Sequence, residues 1–429
     1  QIKDGLVVAG GWWIRHVDNE GNVTVWDGRR DVSDLNTTEP QLSFSAATTA
    51  ATSAAKTAVA NVGRIKLMVL PQRKRTDSAR LVYAVSSADG RGARIQYVDA
   101  VTGDLLLTQT SDKKAAARDR DKFGLTGTGR VFDPNPVVKL QDESLRDHRD
   151  SATAVPPAGY TIRALRHLNF SHSLRGRWVR IMNHNRVSSP TDTYRFNRRE
   201  EGFEQVNVYY SVDAEQSYLQ RLGFFDVNAE SEKIYVNTIP IDNSFYDPSE
   251  DSITLGIGGV DDAEDPEVVW HEYGHAIQYD QVVDWGWTRQ GGSMGEGFGD
   301  YIAVAMSQRT AAGTSVAPAA CVMDWDATSY TSGTPHCLRR TDTNKHFPED
   351  LQGEVHADGE IWSGALFDIN QSVGRDTATR AILEAHFWMN PRIQMPHAAQ
   401  ITIGIAQRLY HNPAITQKFR TAFENRGIL

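Results

Sequence analysis

His271-Glu272-Tyr273-Gly274-His275, then Met294-Gly295-Glu296-Gly297-Phe298-Gly299-Asp300, is the stretch that decides how this 429-residue chain is read. At 3.6 residues per turn, positions i and i+4 stack on one helix face, so the imidazoles of His271 and His275 reach one ion. Glu272 stands about 100° round the same helix, placed to contact a water on that ion without ligating it. Zinc suits the pair, because it accepts nitrogen and carboxylate ligands and brings no redox chemistry. Two surface histidines on an amphipathic helix are the alternative.

The downstream segment weighs against that alternative. Glu296 follows His275 by 21 positions, which suits a helix, a reversal and a second helix that returns the carboxylate to the ion. Two histidines and one glutamate leave a fourth position open, the catalytic rather than the structural arrangement. Asp300, at i+4 from Glu296, shares its face and is placed to accept the other ring N–H of a ligating histidine. Glycines at 295, 297 and 299 weaken a helix, which makes sense where backbones pack closely.

Further out, helical patterns dominate after Asp265. The tail carries three, at Thr377–Met389, His397–Tyr410 and Pro413–Gly427; in the second, Ile401, Ile405 and Leu409 mark a buried face. Between Phe123 and Asp265 the composition is of strands and long turns, with strands expected at Ile234–Ile239, Ser244–Tyr246 and Ser252–Ile257. Residues 1–110 read as a small α+β module. It has strands at Gly5–Ala9, Trp12–His16 and Val23–Trp26, with Asn19-Glu20-Gly21-Asn22 as a turn. An Ala-rich helix over Ser43–Val62 follows, with Ser43 as N-cap. A hairpin, Leu81–Val85 with Arg94–Val98, turns at Ala88-Asp89-Gly90-Arg91-Gly92, and Leu105–Gln109 adds a strand. The charged run 111–122 has no strand period and reads as an exposed linker open to proteolysis. No internal repeat is present.

Composition bounds the rest. Forty per cent hydrophobic and 23% charged residues describe an ordinary globular protein. The net charge of -9 argues against a nucleic-acid partner. No apolar run approaches the roughly 18 residues of a membrane span. The chain begins at Gln1 without an apolar signal core, which fits a removed leader or a trimmed chain equally. Cys321 and Cys337 read as one bridge closing a short loop, with two free thiols as the alternative, and secretion is the favoured compartment.

The segments His271–His275 and Gly295–Asp300 together resemble the gluzincin metallopeptidases, which include thermolysin and the fungalysins; the Gly-Glu-Gly-aromatic-x-Asp form is closest to fungalysin. The resemblance implies an α+β fold: a small N-terminal prosegment (1–117), then a two-lobed catalytic domain (118–429). Within the latter, a strand-rich lobe at 118–280 ends in the histidine helix and a mainly helical lobe covers 281–429. It implies a secreted zinc endopeptidase made as a zymogen. His271, His275 and Glu296 would hold Zn2+, Glu272 would be the general base, and Asp300 would support a ligand.

Val355-His356-Ala357-Asp358-Gly359-Glu360-Ile361-Trp362 is similar to the fungalysin segment with the transition-state histidine, so His356 inherits that role. Its carboxylate partner is Asp350, Glu354 or Asp358. Asn243-Ser244-Phe245-Tyr246 resembles the edge strand that holds substrate backbone, which assigns substrate binding to Asn243 and Ser244 by strand addition; a plain turn is the other reading. Tyr97–Leu105 is similar to the end of the prosegment, and Gly127–Pro136 to the start of the catalytic part. The expected partners are protein or peptide substrates and the chain's own propeptide. No cysteine lies in the prosegment, which excludes inhibition by a thiolate on the metal.

Departures from the pattern stay open. Thermolysin has a tyrosine between its second histidine and its glutamate, whereas this chain has Trp285 and Trp287 between Asp280 and Glu296. The substrate-carbonyl arginine is Arg339 or Arg340. Calcium is a second cofactor candidate at Asp261, Asp262, Glu264, Asp265 and Glu267, against the favoured reading of a solvated acidic turn. Two rival functions remain. A structural zinc or adhesion protein would not need Glu272. An exopeptidase would need a carboxylate that binds the substrate terminus.

Overall fold

The computed structural model describes residues 2–4, 6–8, 12–17, 23–28, 32–54, 61–71, 78–89, 92–112 and 123–429. The chain divides into two compact units, Gln1–Asp121 and Lys122–Leu429.

In the first unit, α1 (Phe44–Ala54) starts where the sequence places its cap: Ser43 Oγ accepts from Ala46 N at 3.2 Å. Four strands form an antiparallel meander in sequence order: β1 (Asn61–Leu70), β2 (Arg80–Asp89), β3 (Gly92–Asp99) and β4 (Leu105–Asp112). Ala47 and Ala51, one turn apart on α1, pack on Leu81, Tyr83, Val85 and Val98. The helix expected over Ser43–Val62 is too long. Asn61 and Val62 belong to β1 and pair with Ala88 and Ser87, so strand pairing overrides the helical propensity of the alanine-rich run. Trp12–Val17 pairs antiparallel with Val23–Gly28. The expected turn at 19–22 and the hairpin tip at 90–91 lie outside the described residues. Of the expected linker 111–122, Ser111 and Asp112 end β4, and the remainder also lies outside them.

The second unit is strand-rich first and helical later, which is the α+β class expected. Its first sheet has β5 (Leu125–Val131) at the centre, antiparallel to β6 (Thr161–Leu168). Four further strands form the second sheet: β7 (Val179–Ile181), β8 (Glu232–Ile239), β9 (Phe245–Asp247) and β10 (Ser252–Gly256). Their spatial order is β7-β8-β10-β9, with β7, β8 and β10 parallel and β9 antiparallel on the edge.

A 21-residue helix, α2 (Gly202–Leu222), lies in the region read as strands and turns. Its polar residues hid it. Glu204, Gln205, Asn207, Ser211, Asp213, Glu215 and Gln216 are all buried, so the helix has no solvent face and shows no amphipathic period. Asn207 explains one of them: its Oδ1 accepts from Phe132 N at 2.9 Å, and its Nδ2 donates to Ala263 O at 2.9 Å.

The longer helices that follow are α3 (Pro266–Gln281), α4 (Arg289–Ser307), α5 (Val355–Val373), α6 (Arg375–His386), α7 (Met395–Tyr410) and α8 (Pro413–Glu424). One hydrophobic core joins them to the second sheet, with Trp270, Tyr273, Phe298, Tyr301 and Trp362 fully buried or nearly so. On α7, Ile405 is buried while Ile401 and Leu409 are partly so; Ala398, Ala399, Thr402 and Ala406 extend that face. Cys321 and Cys337 form a disulfide with a Cα–Cα distance of 5.1 Å. The adjacent strand pair sets Cys321 opposite Arg340 and Val322 opposite Arg339. Among the described residues, no helix is long and apolar enough to cross a membrane.

Candidate metallopeptidase site

Helix α3 begins at Asp265, whose Oδ1 accepts from Glu267 N at 2.9 Å, with Pro266 in the first turn, where its missing N–H costs nothing. The surrounding acidic turn is buried rather than solvated, which corrects the sequence reading. Glu264 takes hydrogen bonds from Arg198, with Nη2 to Oε2 at 2.6 Å, and from Trp325 Nε1 at 3.0 Å. Asp265 Oδ2 accepts from the backbone N–H groups of Trp325 and Asp326, and Glu267 accepts from Met323 N at 2.6 Å. These carboxylates pin the start of α3 to the loop 323–326. Behind it, α2 holds the helix through Trp270 Nε1 to Ser211 O at 3.0 Å and Tyr273 OH to Gln216 Oε1 at 3.0 Å.

On that anchored helix His271 and His275 face α4. Their Nε2 atoms are 3.1 Å apart, and Glu296 reaches both, Oε2 to His271 Nε2 at 3.2 Å and Oε1 to His275 Nε2 at 3.7 Å. Ligand atoms of His271, His275 and Glu296 all lie within 4.8 Å of one another. Zinc bonds of about 2.0–2.2 Å span such a set, and its nitrogen–carboxylate chemistry matches. The helices approach closely because α4 lacks side chains at key points. A Cβ on Gly299 would stand 2.7 Å from the His271 ring, and one on Gly297 would stand 2.5 Å from Gly359 O on α5.

The electrostatics favour a cation. Burial opposes a charge on His271, but Asp300 and Glu296 outweigh it and push the imidazole up to about 10. Burial likewise opposes charge on Glu296, yet the neighbouring histidines hold it well below the usual carboxylate range. Asp300 lies 3.0 Å from His271 Nδ1 through Oδ1 and receives two hydrogen bonds from Arg339, at 2.8 and 2.7 Å. Arg340 bonds Asp342 instead, so of the two arginine candidates only Arg339 touches the site. Glu272 is buried beside the trio. Burial above all, helped by Glu296 and Asp262, pushes it up to about 7, the range useful to a group that takes and returns a proton.

His356, in the first turn of α5, brings Nε2 to 3.2 Å from Glu296 Oε2. Glu354 is its partner among the three candidates: Glu354 Oε1 is 2.7 Å from His356 Nδ1 and also caps the helix by accepting from His356 N. Asp350 instead accepts from His346 N, and Asp358 from Gln352 N and Gly353 N.

His271, Glu272, His275, Glu296, Arg339 and His356 border one cavity of about 440 Å³. Asn243 and Ser244 are on its wall, immediately before edge strand β9, which starts at Phe245, one residue later than expected. Asn243 Oδ1 accepts from Ser244 N, and Ser244 Oγ donates to Asp262. Three further aromatic residues stand on the wall: Trp285, which the sequence places in the stretch before Glu296, and Tyr279 and Tyr330, which it did not single out. Trp285 presents a buried Nε1 with no hydrogen-bond partner, and Tyr279 and Tyr330 bring hydroxyls. Tyr279 stands one residue before Asp280, and nothing in the sequence marks Tyr330.

A metal-ready trio with a buried, proton-accepting carboxylate on the same helix is the arrangement of a metallopeptidase. The comparison with protein families narrows the class. Residues 258–386, which carry every one of these side chains except Asn243 and Ser244, Tyr279, Trp285 and Tyr330 included, match the model of the fungalysin metallopeptidases (M36). Over these residues the chain is similar to the fungalysin metallopeptidases. No curated protein matches it.

Proposed function

We propose that the chain is a secreted zinc endopeptidase, made as a zymogen, which hydrolyses internal peptide bonds. The observation that carries this reading is the convergence of His271, His275 and Glu296 within 4.8 Å, with Glu272 in the same cavity. Zinc bound there supplies Lewis acidity and brings the pKa of the attacking water toward about 7. Glu272 accepts the water proton and returns it to the leaving amine. His356, oriented by Glu354, donates from Nε2 to the oxyanion that develops on the scissile carbonyl. Asp300 fixes the tautomer and orientation of His271, and Arg339 holds Asp300. Asn243 and Ser244 bind the substrate backbone beside edge strand β9, which suits an open-ended cleft and therefore internal bonds.

Residues 1–117 act as an inhibitory, folding-assisting propeptide, removed by a cut near residues 111–122. Calcium has weaker support, because Asp261, Asp262, Glu264, Asp265 and Glu267 already accept hydrogen bonds from protein donors.

Glu272→Gln tests the mechanism. Metal content should stay at that of the parent chain while cleavage of a blocked peptide falls by about 10²–10⁴-fold. Unchanged activity refutes it. Intact mass spectrometry with and without a zinc chelator tests the zymogen: loss of the first 110–120 or so residues, blocked by chelator, means self-processing. Full activity of the uncut chain on casein sinks latency.

A further inference from the structure

Among the described residues, three carboxylates converge with no Lys or Arg ion-paired to them. Asp242 precedes the edge strand, Asp262 belongs to the acidic turn before α3, and Asp326 follows the Cys321–Val322 strand; oxygens of all three lie within 4.8 Å of one another. Asp262 and Asp326 are only 3% and 2% exposed, and both border the cavity that holds His271, Glu272 and Glu296. Asp326 Oδ1 is buried with no hydrogen-bond partner. Two buried carboxylates close by are answered by arginines, Glu264 by Arg198 and Asp300 by Arg339. Among the described residues no Lys or Arg forms an ion pair with Asp242, Asp262 or Asp326; Arg339 offsets part of the rise at Asp326 but spends its hydrogen bonds on Asp300. Burial, with repulsion from Asp242, pushes Asp262 up to about 7, and burial with repulsion from Asp262 also raises Asp326. Buried acids left this way are costly unless a positive group joins them.

We propose that this acidic corner is a specificity subsite that receives the Lys or Arg side chain of a peptide substrate, so that the enzyme cuts within two residues of a basic residue. The inference rests on the peptidase reading above and names its substrate class. The corner is part of the cleft wall, so its cation arrives with the substrate. Val268, Met323 and Leu338 border the same cavity and offer apolar surface to the alkyl stem of Lys or Arg, while the carboxylates take the charged head. A resident calcium ion would need about six to eight oxygens, and Asp262 already commits one of its own to Ser244 Oγ. An ammonium or guanidinium needs only the few acceptors present.

The test uses the full chain, zinc-loaded and activated by limited proteolysis. It first digests a mixed peptide library, with cut sites read by mass spectrometry. Lys or Arg should dominate one fixed position within two residues of the scissile bond. Next, two blocked peptides differing only by Lys or norleucine at that position are compared. The Lys/norleucine ratio of kcat/KM should fall by roughly 30-fold or more in Asp262→Asn and in Asp326→Asn. Cleavage without basic enrichment overturns the proposal, as does a ratio that neither variant changes. A shift confined to calcium-dependent melting places a divalent ion in the corner and overturns it as well. Should neither variant fold, the parent's library profile decides alone. If no peptide is cut at all, the peptidase reading itself fails and this inference goes with it.

Discussion

Asp300 and Arg339 meet as a two-point ion pair, Nε to Oδ2 at 2.8 Å and Nη2 to Oδ1 at 2.7 Å, and Oδ1 is also 3.0 Å from His271 Nδ1. The arginine thus keeps a buried carboxylate charged and aimed at a histidine of the metal trio. Asp300→Asn should weaken zinc binding by about 10–100-fold, measured against a competing chelator. Arg339→Lys cannot reproduce the planar two-point contact and should also lower affinity, by less. Equal zinc affinity in all three proteins would show that the pair serves folding alone.

Glu354 does two jobs, capping α5 and holding His356 Nδ1. Gln at 354 retains an acceptor for the cap but loses the charge. We expect Glu354→Gln to keep its melting temperature within a few degrees while kcat drops about tenfold with KM nearly unchanged. Loss of stability without loss of kcat would leave Glu354 a cap only.

Glu232 sits 2% exposed, with Oε1 lacking a partner; burial, reinforced by Asp251, pushes it up to about 8. Glu264, also buried, is pushed up to about 7. A carboxyl raised in the folded state stabilises fully below its unfolded value, near 4.5, and that stability is lost as pH climbs through the folded value. The melting temperature should therefore fall between about pH 5 and pH 8. Glu232→Gln removes one titrating group, so it should flatten part of that fall and gain on the order of 2 kcal/mol at the alkaline end. A variant with the parent's pH slope would contradict this.

The Cys321–Cys337 bridge closes a loop with a sequence separation of 16 and flanks the strand pair that carries Arg339. Replacing both cysteines by serine should cost about 3 kcal/mol in chemical denaturation. Because the loop ends beside Arg339, zinc affinity should fall too. Unchanged unfolding midpoints would mean that packing alone holds the loop.

Sequence alone determined the chemistry that is local in the chain. The i, i+4 histidines, Glu272 between them and the carboxylates of α4 are legible because helical geometry fixes which side chains share a face. Ser43 as a cap, the paired cysteines and the helical tail follow from similarly short-range rules. Tertiary structure decided whatever depends on what a residue meets across the fold. The helix α2 was invisible because its buried polar residues erase the amphipathic period, and Asn61–Val62 left a helix-prone run because β2 offered them partners. The acidic turn looked solvated until Arg198, Trp325 and the backbone at 323–326 came to meet it. The choice of Glu354 over Asp350 and Asp358, of Arg339 over Arg340, and the convergence of Asp242, Asp262 and Asp326 all arise the same way. Spacing along one helix states its own geometry; contacts between residues distant in the chain are set by how the elements pack, which spacing does not encode.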